Sequence, residues 1–241
     1  MTKTLQQMIS ESNRIVFFGG AGVSTESGIK DFRSADGLFN EGTPIPPETI
    51  LSHRFFLRNP EQFYQFYREK MLPIDAQPNA AHKKLAELEQ AGKLKAIITQ
   101  NVDGLHQKAG SRNVLELHGS LWKNFCLQCN QTYPPETIRD CNGVPHCTCG
   151  GIIRPEVVLY GESLPEGVVD AAIAAIESAD MLIIAGTSLQ VYPAAGLVEY
   201  FSGKYLVLIN RDPTPADGQA NLVIREPVGE VLTQIVVENT K

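Results

Sequence analysis

The chain has 241 residues, 43% of them hydrophobic and 20% charged, with a formal net charge of −6. That balance is ordinary for a globular protein with a substantial core, and the acidic excess argues against nucleic-acid binding, which relies on cations that displace counterions from phosphates. It suits a basic, lysine-rich partner instead. The opening MTKTLQQMISESNR holds no long apolar run, and no later run reaches membrane-spanning length. A cytoplasmic protein without membrane association is expected.

In chain order, residues 4–13 pattern as a short amphipathic helix that feeds Ile15-Val16-Phe17-Phe18, an apolar run of strand length. Gly19, Gly20 and Gly22 follow. Glycines at a strand end let the backbone turn sharply and present N–H groups to an anion, as nucleotide-phosphate sites do. The dinucleotide fingerprint is incomplete, because Thr25 stands where G-x-G-x-x-G needs its third glycine. An ordinary tight turn fits these residues equally well. Next comes Gly28-Ile29-Lys30-Asp31-Phe32-Arg33, whose charged–aromatic–charged triplet is poorly explained by packing. Turn signals at Asp36-Gly37 and 42–47 lead into Glu48 to Met71, rich in Phe, Tyr, Arg and Glu at helical spacing and broken at Asn59-Pro60. This stretch reads as a small helical lobe. Asn79 to Gly92 is a helix, with Asn79 as N-cap and Gly92 at its stop.

Leu94 to Thr99 reads as a second buried strand, with Gln100-Asn101-Val102-Asp103 at its carboxyl end. Leu115 to Gly119 is a short strand-like run carrying His118. Cys126 to Gly151 loses periodicity, and Val157 to Leu159 reads as a strand ending at Tyr160-Gly161-Glu162. Val168 to Ser178 is helical. Asp180 to Ala185, Tyr205 to Ile209 and Leu222 to Ile224 are further strands, the first ending in Gly186-Thr187-Ser188 and the second in Asn210. Apolar strands alternating with helices predict a doubly wound, Rossmann-like α/β fold, its parallel sheet covered on both faces. The expected organisation is a core of about 1–33, 79–120 and 155–241, a helical lobe of about 34–78 and an inserted zinc module of about 121–154. Ligands belong at the carboxyl ends of such strands.

All five cysteines lie between Cys126 and Cys149, a clustering that favours metal over disulfides in a cytoplasmic chain. Cys126-x-x-Cys129 is a zinc knuckle, and Cys147-x-Cys149 follows at a common structural-zinc separation, though it departs from C-x-x-C. Four thiolates close a tetrahedral site and leave no position for chemistry, so one structural zinc per chain is expected. Whether Cys141 replaces Cys147 stays open at this point.

Gly20-Ala21-Gly22-Val23-Ser24 with Gly28 to Arg33, then Thr99 to Asp103, His118-Gly119, the four cysteines, Val158 to Glu162, and Gly186 to Ala195 form an ordered set of motifs. In that order they resemble the sirtuin family in its bacterial form, the NAD-dependent protein-lysine deacylases, over roughly residues 10 to 230. Lys30 replaces the usual proline, which removes rigidity but no expected chemical group. The resemblance implies NAD contacts from Gly20, Ala21, Gly22, Asp31, Phe32, Arg33, Gln100, Asn101, Asp103, Gly186, Thr187, Ser188, Asn210 and Val228. It implies His118 as catalytic base, with Asn101 beside the nicotinamide ribose. Val158, Tyr160, Gly161 and Glu162 would form one side of a peptide cleft, and Leu189 and Val191 the other. Tyr64 and Tyr67 match a segment where succinyl-preferring members carry a Tyr-x-x-Arg pair. Tyr67 in place of that arginine implies a preference for neutral acyl groups, since a buried carboxylate needs a paired cation.

The reaction the resemblance implies starts with attack of an acyl-lysine carbonyl oxygen on C1′ of the nicotinamide ribose, expelling nicotinamide. His118 then serves as base for a ribose hydroxyl, and the products are free lysine and O-acyl-ADP-ribose. Acyl-lysine proteins or peptides are the implied partners. A hydride-transferring dehydrogenase would share the glycine turn but expects an acidic residue roughly 20 positions on; Asp36 and Glu41 are available, in turn-rich sequence. A non-catalytic zinc ribbon for nucleic acid would want basic surface near the cysteines, and Arg139 is the one Lys or Arg between Cys126 and Cys149.

Overall fold

A computed structural model describes residues 3–34, 36–40, 42–72 and 75–237. Residues 1–2 and 238–241, at the outer limits of the expected core, and Glu41 lie outside the described residues. The strands are β1 (Ile15–Gly19), β2 (Leu94–Thr99), β3 (Val114–Glu116), β4 (Gly119–Cys126), β5 (Thr132–Tyr133), β6 (Ile153–Val157), β7 (Met181–Ala185), β8 (Tyr205–Ile209) and β9 (Leu222–Ile224). The α-helices are α1 (Leu5–Glu11), α2 (Pro47–Ile50), α3 (His53–Arg58), α4 (Pro60–Phe66), α5 (Ala80–Gln90), α6 (Leu105–Lys108), α7 (Glu136–Arg139), α8 (Glu166–Glu177) and α9 (Val228–Thr233). No helix among the described residues is long and apolar enough to cross a membrane.

β1 and β7 are apolar and buried along their whole length, as strands covered on both faces must be. They lie at the centre of a six-stranded sheet of order β3-β2-β1-β7-β8-β9, every pair parallel. With the inserted β4 to β6 set aside, this is the doubly wound order 3-2-1-4-5-6, which reverses between β1 and β7 and opens a crevice there. One face packs Leu5, Leu85, Leu88, Val231 and Leu232 from α1, α5 and α9. The other packs Ala172 and Ile176 of α8 with Leu197.

Helix α5 begins where the sequence predicts. Asn79 Oδ1 accepts the Ala81 and His82 N–H groups, capping the helix, and its Nδ2 donates to Val23 O at 2.8 Å. The cap therefore also ties α5 to the turn after β1. Gly92, with φ of +71°, ends the helix region. Behind it the rings of His82 and His106 meet edge to face at 4.7 Å, both buried. Burial lowers the pKa of His82 to about 4 and that of His106 to about 3, so both fold neutral. In the unfolded chain they protonate near roughly 6.5. Below that pH the unfolded state binds more protons and stability falls. The melting midpoint is expected to drop as pH goes from about 6.5 towards about 4; a midpoint constant across that window in a pH series would refute it.

In a third apolar cluster, Phe56, Phe63, Tyr64 and Tyr67 pack with Ile138, Ile153 and Cys126. β4 is the centre of a three-stranded antiparallel sheet of order β5-β4-β6. The strand expected at Val157 to Leu159 ends at Val157. Beyond it the Leu159 N–H is taken by Glu162 Oε2 at 2.9 Å, and the Tyr160 N–H by Leu51 O at 3.0 Å. The Val158 N–H still reaches His118 O at 2.9 Å, and Tyr160 then bridges to Ser52, so the chain leaves β4 here for the loop before α3.

Candidate active site

A cavity of about 670 Å³ runs along the carboxyl ends of the parallel strands, over the β1–β7 reversal. At its floor two turns meet. The Gly22 N–H donates to Gly186 O at 2.8 Å, and a Cβ on Gly22 would fall 2.8 Å from Gly186 Cα, so neither turn tolerates a side chain there. After β1 the chain forms short 3-10 turns at Ala21–Val23 and Thr25–Ser27 rather than one long helix. That accounts for the missing third glycine, whose job is close helix–strand packing. Thr25 instead donates its hydroxyl to Gly22 O at 3.0 Å.

Above the floor sits a buried polar network. Ser24 Oγ donates to Asp103 Oδ2 at 2.7 Å and accepts from Asn101 Nδ2 at 3.1 Å. The other Asp103 oxygen accepts the Leu105 N–H at 2.9 Å. Gln100 Nε2 donates to Thr187 Oγ1 at 3.1 Å, joining the β2 and β7 ends. His118 Nδ1 lies 2.9 Å from Gln100 O. A carbonyl only accepts, so Nδ1 carries the proton and Nε2 keeps its lone pair. Burial lowers the His118 pKa, partly offset by that bond, which favours the neutral ring with Nε2 open to a proton.

Around the network, Asp31 Oδ1 accepts the Arg33 and Ser34 N–H groups, folding the loop into a local turn. Arg33 lies over the Phe39 ring and pairs with Glu48 at 3.1 Å. At the far end, Arg225 donates to Asn210 O and Asp212 O and pairs with Asp217. The Gly229 N–H at the start of α9 donates to Glu26 at 2.7 Å.

Of the expected residues, Ala21, Gly22, Asp31, Phe32, Arg33, Gln100, Asn101, Asp103, His118, Gly186, Thr187, Ser188, Asn210 and Val228 line this one cavity, as do Val158, Tyr160, Gly161, Glu162 and Val191. Glu162 is already engaged: burial would raise its pKa, but Arg154, the Leu159 N–H and His53 hold it down to about 2. It braces the cleft wall. Gly20 lies behind the turn, against Thr187.

Tyr64, Tyr67 and Leu189 are buried and stand apart from the lining of this cavity. Tyr64 is buried with its hydroxyl donating to Ile153 O at 2.6 Å, Tyr67 stacks on Phe63, and neither lines the cavity. Their place on its wall is taken by Lys70 and Met71, in a π-helical turn spanning Tyr67–Met71. Leu189, at φ of +53°, points into the core layer beside α8. Ser24 was missed. It stands in the glycine motif, and the signal was a small hydroxyl straight after a backbone turn.

Cys126, Cys129, Cys147 and Cys149 bring their Sγ atoms within 4.8 Å of one another, with contacts of 3.5 to 3.6 Å. Tetrahedral zinc at about 2.3 Å from each sulfur implies edges of about 3.8 Å, whereas a disulfide needs about 2.05 Å. The donor set fits the metal. Gly151 is required beside it, since a Cβ there would lie 2.5 Å from Cys126 Sγ. The Cys141 thiol faces Asn142 O outside the cluster, whereas Cys147 lies with the other three cysteines.

Fold and site together define a Rossmann-type, dinucleotide-using α/β enzyme with a four-cysteine metal module. The chain belongs to the Sir2 family, whose model matches residues 20–193. It is 58% identical over 236 residues to a Clostridium perfringens protein named NAD-dependent protein deacetylase, covering 96% of this chain and 97% of that one. A Staphylococcus aureus protein of the same name is 44% identical over 98% of both chains. A Sir2 homologue solved with ADP-ribose superposes at a TM-score of 0.89 with 43% identity, covering 97% of this chain and 94% of that one. A Sir2 structure with a p53 peptide and NAD+ gives 0.85 at 39% identity, covering 96% and 95%.

Proposed function

We propose that this protein is a cytoplasmic NAD-dependent protein-lysine deacetylase that moves the acyl group of an acyl-lysine to ADP-ribose and releases nicotinamide. It acts on acyl-lysine proteins or peptides and binds no nucleic acid directly. The observation that carries this reading is His118, a half-buried imidazole whose Nδ1 is held by Gln100 O and which lines the same cavity as the Ser24–Asn101–Asp103 network. When bound, NAD supplies the ribose that accepts the acyl group. The chain's own residues divide the remaining work. Ala21 and Gly22 offer backbone at the strand reversal, and Asn210 and Val228 line the adenosine end. Asp103 and Asn101, fixed by Ser24, receive the nicotinamide end. His118 takes a proton at Nε2, and the surrounding wall excludes water from the reacting sugar. Zinc is held by the four thiolates and stabilises the module that carries the peptide-cleft wall. The division into core, lobe and module belongs to this reading. The test is nicotinamide release that depends on an acetyl-lysine peptide. Release without peptide, or hydride transfer to a small substrate, would overturn it.

The acyl preference rests on a different wall from the one expected. Met71, Val102, Leu121, Val157 and Leu159 make it apolar. Lys70 is the cation next to Met71 in sequence, and it is already engaged in an interaction of its own. Acetyl-lysine is expected to exceed succinyl-lysine in kcat/KM by about tenfold or more, because an unpaired carboxylate is costly to bury. One peptide bearing each acyl group decides it. Equal or better desuccinylation would sink the prediction and turn attention to Lys70.

A further inference from the structure

The backbone that carries Gln100, Asn101 and Asp103 is held from behind by one neighbouring segment. Gln100 O meets His118 Nδ1 at 2.9 Å, Val102 O accepts the Leu121 N–H at 2.9 Å, and Asp103 O accepts the indole N–H of Trp122 at 2.7 Å. Of these three, the last comes from a side chain outside the cavity lining. It is also the shortest. The Trp122 indole lies directly on Gly104: at φ of +70° a Cβ there would fall 2.6 Å from Trp122 Nε1. Gly104 is thus required both by its backbone conformation and by the ring above it. Asp103 is gripped on two sides, its carboxylate by Ser24 and the Leu105 N–H, its carbonyl by Trp122.

We propose that Trp122 is a positioning residue for the nicotinamide end of the site, setting the orientation of Asp103 through its backbone carbonyl. This rests on the assignment of the 100–104 loop to nicotinamide made above. Trp122 stands outside the cavity lining and acts through the backbone of Asp103. It removes the freedom of the Asp103 peptide unit to rotate, so that the carboxylate stays aimed at its ligand and little ordering remains for binding to accomplish. The same indole makes Trp122 a reporter, because it is the single tryptophan of the chain.

The decisive variant is Trp122→Phe, which keeps an aromatic ring over Gly104 and loses the donor. It is expected to keep its zinc and its melting midpoint. KM for NAD and the nicotinamide concentration that half-inhibits deacetylation should both rise about 3- to 10-fold, the size of one net hydrogen bond. KM for the acetyl-lysine peptide should not move. Unchanged NAD and nicotinamide constants would overturn the proposal. So would a uniform rise that includes the peptide and comes with a lower melting midpoint, because that is packing alone. Should Trp122→Phe fail to fold, the wild-type protein still decides. Adding nicotinamide, or NAD without peptide, is expected to shift tryptophan emission and to saturate at the concentrations that act in the kinetics. Silent emission at saturation would overturn it. A protein that never releases nicotinamide fails at the level of the function itself. A normally active enzyme indifferent to Trp122→Phe sinks this inference alone.

Discussion

Replacing His118 by alanine is expected to lower deacetylation by about 100- to 10,000-fold, the contribution of a well-placed general base. The loss should fall on kcat, with peptide binding largely kept. The Nδ1 bond to Gln100 O also steadies the nicotinamide loop, so a several-fold weakening of NAD binding is expected alongside, about one net hydrogen bond. Binding measured by calorimetry separates the two effects. The wild-type pH profile gives a further check. Burial lowers the His118 pKa, and the base form is the deprotonated one. Activity should therefore hold level through neutral pH and fall only as pH drops below the usual histidine range, about 6.5. Near-normal turnover by His118→Ala would remove His118 from the mechanism.

The strands were legible because a parallel sheet buried on both faces writes itself as continuous apolar runs, as β1, β7 and β8 do and as β2 does apart from the exposed Lys95. The site loops were singled out by resemblance alone, because polar residues at a strand end fit a plain loop equally well and only the ordered set of motifs set them apart. What escaped is tertiary. Ser24, Asn101 and Asp103 become one network only when the ends of β1 and β2 lie side by side, and periodicity carries no trace of that pairing. The placing of Tyr64 and Tyr67 in the lobe interior was hidden for another reason. Helical spacing says which residues share a face but not whether that face meets a cavity or a core. Here the π-helical turn at Tyr67–Met71 rotates the chain, so that Met71 reaches the cavity wall and the tyrosines fill the lobe.

Cys126→Ser is expected to lose the zinc and, with it, the helical lobe and the cleft, while the six-stranded sheet stays folded. Structural zinc in small modules contributes about 10 to 16 kcal/mol of folding free energy, comparable to the whole stability of a typical domain, about 5 to 15 kcal/mol. The module cannot keep its shape without it. The damage should spread along defined contacts. Cys126 and Cys147 sit in the same apolar cluster as Phe56, Phe63 and Tyr64, and Tyr64 bonds Ile153 O of β6. β4, which ends at Cys126, carries Leu121 and Trp122 onto the 100–104 loop. The sheet's own layers are separate clusters on α1, α5 and α9 on one face and α8 on the other. Hydrogen exchange should then show residues 47–71 and 119–157 unprotected while β1, β2, β7 and β8 keep their protection. Deacetylation should be abolished. Cys141→Ser, outside the cluster, should retain one zinc per chain by elemental analysis and near-normal activity. A zinc-replete Cys126→Ser, or a Cys141→Ser that has lost its metal, would show the ligand set to be wrong. Uniform loss of protection across the sheet would show instead that the module and the core fold as a single unit.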